Sequence, residues 1–315
     1  MRGSVNWQIN TIFKDSGIFQ PGISRHSEKI AIKQQLKLAG QGCTSQNIAD
    51  KTAMHGYEAS DYKDTWHNFG HFCKQGLGIK DMTKIETRHV QSYMEKRIMD
   101  GIKYGTWNKE AAHLAKFGNA LERFDGQNRG FRQAIDDTRH LAKDRLPGSD
   151  KDHGGFRSPE KVIQNLNGNH ALAARIQHEG GARLREASLI KKEQLKGLQH
   201  DKIAGQQKGV IHLKDTKGGK PRDIQVSKET YSQLQHTIEE NGKFQVHQKT
   251  YQSRVNAAAK LAGEQRTGTH DFRYNFAQNR YNQFVESDYN NVQAQQAVSW
   301  EMGHERADIT KIYLR

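Results

Sequence analysis

The sequence predicts a mainly α protein of two domains, with a small antiparallel β-hairpin in the second. Three observations carry that expectation. The chain has 315 residues, enough for two bodies that each bury a core. In its first half, apolar residues recur at steps of three and four, the helical period. In its second half, one clear strand signal, VIHL and RDIQV, flanks the turn KDTKGGKP.

Composition narrows the class of partner. The hydrophobic fraction is 34%, mean hydropathy is −0.94 and the pI is near 9.6. Lys and Arg number 49 against 35 Asp and Glu, a net charge of +14. Residues 1–150 hold 23 basic against 17 acidic side chains and the rest hold 26 against 18, so each half is positive. Two basic bodies suit a long polyanion, because nucleic acid releases a counterion for each phosphate neutralised. No apolar run approaches the ~18–20 residues of a membrane span, and no short apolar core follows the N-terminal charges as in a signal peptide. The expected location is the cytoplasm, on the nucleoid, with no membrane partner. Cys43 and Cys73 are the only cysteines, which argues against a disulfide framework.

Residues 1–30 show little period and contain Gly and Pro breaks, so they read as an extended arm. An extra helix follows in SEKIAIKQQLKLAG, and together they make an N-terminal segment over 1–54. Tyr62, Trp66, Phe69 and Phe72 then fall on one helix face, and Val90, Tyr93, Met94 and Ile98 on another. Thr106 is placed to cap a third helix whose face is Trp107, Ala111, Leu114, Phe117 and Leu121. These three helices predict a small bundle over 55–144. RLPGSDKDHGGFRS has no period and reads as a linker over 145–158. Ser158 as N-cap and Pro159 at the first helical position restart helix for a second domain, 159–315. Everything after Ser227 reads as helix apart from its joints.

Four short pieces of that domain hold basic or hydroxyl groups: GGARLREASLI, DTKGGKPRD, GTHDFRYNF and MGHERADITKIY. Each alone has an ordinary explanation, as a solvated helix start, a soluble turn, one helix face or an amphipathic end. Together and in this order they resemble the tyrosine recombinase, or phage integrase, family over about residues 55–315. Arg183 and Glu186 match its Gly-x-x-Arg-x-x-Glu-like piece, Lys217 its hairpin lysine, and His270 with Arg273 its His-x-x-Arg pair. Gly303, His304 and Tyr313 match its Gly-His and the nucleophile nine residues later. Arg185 departs mildly, standing where the family often has a small hydroxyl residue. The helical bundle resembles the family's core-binding (SAM-like) domain, and the arm and extra helix resemble those of a mobile-element or genomic-island integrase.

The resemblance implies site-specific cutting and rejoining of DNA through a 3′-phosphotyrosyl enzyme, with neither metal nor ATP. A phosphodiester gains charge in its five-coordinate transition state and needs fixed donors on its oxygens. Arg183 and Arg273 suit this because a guanidinium is planar, forked and permanently charged. By resemblance, His304 adds a hydrogen bond to the same phosphate. Tyr313 is then the nucleophile, His270 the proton acceptor and Lys217 the general acid for the leaving 5′-oxygen. Glu186 is expected to orient a neighbouring basic side chain.

Lys103, Trp107, Lys109 and Lys116, at and after the start of the third helix, are candidate DNA contacts, with Arg185 and Lys220 in the second domain. Expected partners are double-stranded attachment sites, three further protomers in a tetramer assembled on DNA, and accessory DNA-bending or directionality proteins. His67 and His71 have a metal-like spacing near Cys73, but the aromatic stripe explains that helix as core. KGGKPR lacks the spacing of a nucleotide-binding P-loop. Two rival functions are DNA relaxation of the type IB topoisomerase kind and DNA binding without catalysis. Only Leu314 and Arg315 follow Tyr313, and a loosely held nucleophile is expected after Gly303.

Overall fold

Ser4 starts the first helix of the computed structural model, which describes residues 1–22, 25–55, 58–148, 154–214, 216, 221–265, 268–304 and 307–314. The Ser4 hydroxyl accepts a hydrogen bond from the Trp7 amide at 3.2 Å and caps α1 (Val5–Asp15). Val5, Ile9, Ile12 and Phe13 bury one face of this helix. The extended arm expected here is therefore corrected: the breaks at Gly17 and Pro21 fall after the helix, and its apolar face is part of a core.

The chain divides into two compact units, Met1–Lys151 and Asp152–Arg315. In the first, α2 (Arg25–Leu38) and α3 (Ser45–Lys51) precede α4 (Glu58–Leu77), α5 (Thr87–Met99), α6 (Tyr104–Asp125) and α7 (Phe131–Arg145). Trp66, Phe69, Trp107 and Phe117 are fully buried at the centre, where the Trp66 and Phe117 rings lie 4.8 Å apart. Both indoles satisfy their N–H groups on carbonyls, Trp66 on His113 at 2.8 Å and Trp107 on Met94 at 3.1 Å. The bundle exceeds the three helices expected. α1 joins it, and so does α7, which buries Phe131, Ala134, Ile135, Thr138 and Ala142 at helical steps within a strongly charged stretch. α6 begins at Tyr104 with Lys103 as N-cap, so Thr106 sits in the first turn and is not the cap.

In the second unit, α8 (Pro159–Gln164) and α9 (Gly168–Gly180) lead into β1 (Leu189–Lys191), β2 (Leu195–Asp201), β3 (Gln206–Leu213) and β4 (Arg222–Ser227). The helices α10 (Lys228–Asn241), α11 (Gln248–Leu261), α12 (Asp271–Glu286), α13 (Asn291–Glu301) and α14 (Ala307–Tyr313) follow, with β5 (Lys243–Gln245) between α10 and α11. Strands β3 and β4 form the expected hairpin, pairing antiparallel from Lys208↔Ser227 to Leu213↔Arg222. Two features go beyond it. β2 adds an edge strand with a bulge between Leu195 and Leu198, and β5 pairs antiparallel with β1 inside the region read as all helix. Strands of three residues are too short to show alternation, so β1 and β5 leave no periodic signal.

The sheet, α9 and α11 enclose Ile211, Val226, Leu234, Phe244, Tyr251 and Phe272. Tyr251 keeps its hydroxyl satisfied by donating to Gln177 Oε1 at 2.7 Å. A second cluster packs α12 against α13 and α14 through Phe276, Ala277, Val298, Met302 and Tyr313. Beside it, Arg280 of α12 donates to Asp201 at 2.7 and 3.1 Å and to Glu301 at 2.8 to 3.0 Å. That ion cluster fastens the end of β2 to two helices. No described helix is long and apolar enough to cross a membrane.

Candidate active site

Gly181 ends α9 at a φ of +62°, in the left-handed region that favours glycine. The chain then turns so that Arg183 and Glu186 face each other across three residues. Glu186 Oε2 accepts from the Arg183 amide at 2.8 Å, and Oε1 accepts from Arg183 Nη1 at 2.9 Å. The carboxylate thus holds both the backbone and one side-chain nitrogen of Arg183. A second arginine, which sequence reasoning did not select, shares the carboxylate. Arg222 donates from Nη1 to Oε1 at 3.1 Å and from Nη2 to Oε2 at 2.7 Å. Burial alone would push the Glu186 carboxyl up, but the Arg222 hydrogen bond and charge, with Arg183, outweigh it and hold it at about 2.

His270 stands just before the first residue of α12, and Arg273 follows one turn later, fully buried. Arg273 Nη1 donates to the carbonyl of Gly181, and Nη2 to that of Met302 at 2.5 Å. Burial first, then the Arg183 charge, push the guanidinium down to about 10, so it is still cationic at neutral pH. Nη2 also lies 3.3 Å from His304 Nε2. Arg273 has only hydrogens to offer, so Nε2 is the acceptor and the neutral ring carries its proton on Nδ1. Burial, then the charges of Arg273, Arg183 and Arg222, push His304 down to about 3, which keeps it neutral. His304 Nδ1, Arg273 Nε and Arg222 Nε are buried with no hydrogen-bond partner among the described residues. Unmatched buried donors of this kind can be completed by an anionic ligand.

Gly303 follows α13 at a φ of +72°, and the His304 amide returns to the Ser299 carbonyl at 2.8 Å. A Cβ at Gly303 would lie 3.1 Å from Arg222 Cδ, so a side chain there would also crowd the Arg222 stem. Tyr313, in the last turn of α14, is 8% exposed. Its hydroxyl lies 3.2 Å from His270 Nε2, its ring centroid 6.0 Å from Arg273 Cζ and 5.7 Å from the His304 ring. The structure gives this tyrosine defined neighbours. Packing against Tyr274 at 4.6 Å, together with the hydrogen bond to His270, holds the ring at the cluster.

Arg183, Glu186, His270, Arg273, His304 and Tyr313 are therefore brought together. Lys217 and Lys220 lie outside the described residues, on the connection between Leu213 and Arg222. Arg222 was missed although its signal was present: Ile224 and Val226 point inward from β4, and Arg222 is two residues before Ile224 on the same face. Two candidate DNA contacts are corrected. Trp107 is fully buried with its N–H on Met94, so it is core. Lys116 is 7% exposed and gives its ammonium to the carbonyls of Ala49, Asp50 and Thr52 at the end of α3, where it caps a helix terminus. Burial pushes it down to about 8. Both residues share the register of the apolar face, Trp107 directly and Lys116 beside Phe117. Lys103, Lys109 and Arg185 are exposed, and Lys109 pairs with Asp61 at 3.1 Å.

No protein-family model and no curated protein sequence matches the chain. Solved structures do resemble it. A XerH site-specific recombinase bound to a palindromic difH substrate, in a post-cleavage complex, matches at a TM-score of 0.58 and 16% identity, over 99% of this chain and 91% of that one. The Tn1549 transposon integrase in complex with a circular intermediate DNA matches at 0.54 and 15%, over 93% and 96%. A lambda integrase dimer bound to a core site matches at 0.52 and 14%, over 93% and 77%. The fold, mainly helical with a small antiparallel sheet, is that of the tyrosine recombinases.

Proposed function

We propose that the protein is a site-specific DNA recombinase, an integrase that exchanges strands through a covalent tyrosyl intermediate. The observation that carries this is the Tyr313 hydroxyl at 3.2 Å from His270 Nε2, inside a cluster of three arginines with one carboxylate. The four charges sum to +2, which suits a phosphodiester gaining charge. Arg183 and Arg273 hold its non-bridging oxygens, and the Nδ1–H of neutral His304 donates to one of them. The Tyr313 oxygen attacks phosphorus while its proton passes to His270 Nε2. The bond to the 5′-oxygen breaks, and Lys217 protonates that oxygen. The 3′-phosphotyrosyl link keeps the energy of the broken bond, so attack by a new 5′-hydroxyl reseals DNA without ATP, and no metal is needed.

The first unit serves in this reading as the core-binding (SAM-like) domain, with Lys103 and Lys109 towards phosphates, and the second as the catalytic domain, with Arg185 and Lys220 as its DNA contacts. The net charge of +14 fits a duplex partner, and the neighbours are described as DNA complexes. Four protomers on two attachment sites, with accessory bending or directionality proteins, complete the reaction in the cell.

The test is a suicide duplex. Sites are selected by binding from a random pool, then nicked beside each candidate phosphate so that the 5′-hydroxyl fragment diffuses away. Wild type is expected to give a denaturation-resistant protein–DNA band that Tyr313→Phe does not. Absence of the band in wild type, or its equal formation by Y313F, overturns the assignment.

A further inference from the structure

We infer that Arg222 is the positioning residue that keeps the phosphate clamp positive, by taking the Glu186 carboxylate and releasing the charge of Arg183. The inference rests on the recombinase reading above and adds a residue to it. Glu186 is buried, with 3% of its side chain exposed, and it holds Arg183 by backbone and side chain. An arginine matched one to one with a buried carboxylate presents no net charge. Such a pair would orient a phosphate and would not attract it. Arg222 changes the balance. Its two Nη groups meet both carboxylate oxygens, a forked contact where Arg183 has a single side-chain contact. The triad Arg183–Glu186–Arg222 then carries +1, and the end facing outward is Arg183, whose side chain is 20% exposed against 7% for Arg222.

The surroundings fix Arg222 in that role. Its aliphatic stem lies on Gly303, where a Cβ would approach Cδ to 3.1 Å, and its Nη2 is 3.4 Å from the Gly181 carbonyl that Arg273 also uses. One side chain thus touches the end of α9, the Glu186 turn and the Gly-His turn. It is also the first residue of β4, so it anchors the end of the connection that carries Lys217. Both Nη groups meet Glu186, so the fork of Arg222 is committed to the carboxylate and Arg222 acts through Arg183.

A charge-balancing role and a purely structural ion pair make opposite predictions for a double variant. Arg222→Gln leaves the Arg183–Glu186 pair neutral and is expected to slow adduct formation on the suicide duplex on the order of 10²-fold. Adding Glu186→Gln removes the unmatched carboxylate, returns the pair to +1 and is expected to recover the rate to within about tenfold of wild type. A structural pair predicts a double variant no faster than R222Q, and that result overturns the inference while a wild-type adduct leaves the recombinase reading standing. If wild type forms no adduct, the recombinase reading fails, and a second measurement decides the charge claim. In wild type, the carbon-13 carboxyl signal of Glu186 is expected to stay ionised through pH 3, whereas in R222Q it titrates at least one unit higher. Unchanged titration overturns the role of Arg222 whatever the activity. R222K, which keeps the charge if R222Q does not fold, is expected to cleave within about tenfold of wild type, and a loss equal to that of R222Q or larger overturns the inference.

Discussion

Arg273 and Arg280 are buried on the same helix, two turns apart, yet their charges are handled in opposite ways. Around Arg280 two carboxylates meet one guanidinium. Burial lowers Arg280, but the hydrogen bonds to Glu301 and Asp201 outweigh it and raise it above its ordinary value. Around Arg273 no carboxylate pairs directly among the described residues; its hydrogens go to two carbonyls and to a neutral histidine. The nearby acid, Glu186, is already shared by two other arginines. The difference separates cohesion from chemistry. A buried cation that serves the fold is matched, because an unmatched one costs several kcal/mol of desolvation. An excess of buried cations of the kind around Arg273 fits the anionic substrate proposed above.

The comparison breaks most visibly at Arg280. Arg280→Met leaves Asp201 and Glu301 without their partner and is expected to lower unfolding free energy by about 3–5 kcal/mol in urea, with adduct formation per folded molecule unchanged. A loss under about 1 kcal/mol, or cleavage lost at full folding, would remove the contrast. Arg273→Lys is expected to show the reverse. The charge remains but the fork is lost, so adduct formation falls about 10²–10³-fold, equivalent to ~2.7–4 kcal/mol of transition-state stabilisation, while stability changes less than in R280M. Wild-type cleavage by R273K would show that charge alone suffices and that the fork geometry has no role.

How much of this was legible depended on the length of the signal. Helices with four or five apolar residues in register, such as those carrying Trp66 or Phe117, declare themselves by period. α1 has the same pattern in Val5, Ile9, Ile12 and Phe13, but glycines on both sides masked it. β1 and β5 are visible only as a tertiary pairing, Leu189↔Gln245 to Lys191↔Lys243, between segments far apart in sequence. In the site, the residues whose type is chemically distinctive, His270, Arg273, His304 and Tyr313, could be picked out by spacing and resemblance. Arg222 stands in a run of basic residues, and only its two-residue register with Ile224 and Val226 marks it as inward-facing. Lys116 shows the converse error: a lysine in a helix counted as solvent-facing because of its charge, whereas its neighbours Ala115 and Phe117 mark a buried side.

The last effect bears on His304 and sharpens the same contrast through pH. An unfolded chain protonates this ring near its ordinary value of 6.5, whereas burial beside Arg273, Arg183 and Arg222 holds the folded ring near 3. The folded pKa is depressed, so below 6.5 the unfolded state binds the extra proton, and the stability present above 6.5 is lost as pH falls towards 3. Other buried histidines, His113 among them at about 4, titrate in the same window, so the wild-type curve alone does not isolate His304. The informative quantity is the difference between wild type and His304→Gln, measured by urea unfolding from pH 8 to pH 4. That difference is expected to be flat above pH 7 and then to turn against wild type, with a slope of at most one proton. A flat difference throughout would mean that the folded ring accepts a proton as readily as the unfolded one. His304 would then not be held neutral by the arginines around it, and its Nδ1–H would lose its place in the proposed phosphate clamp.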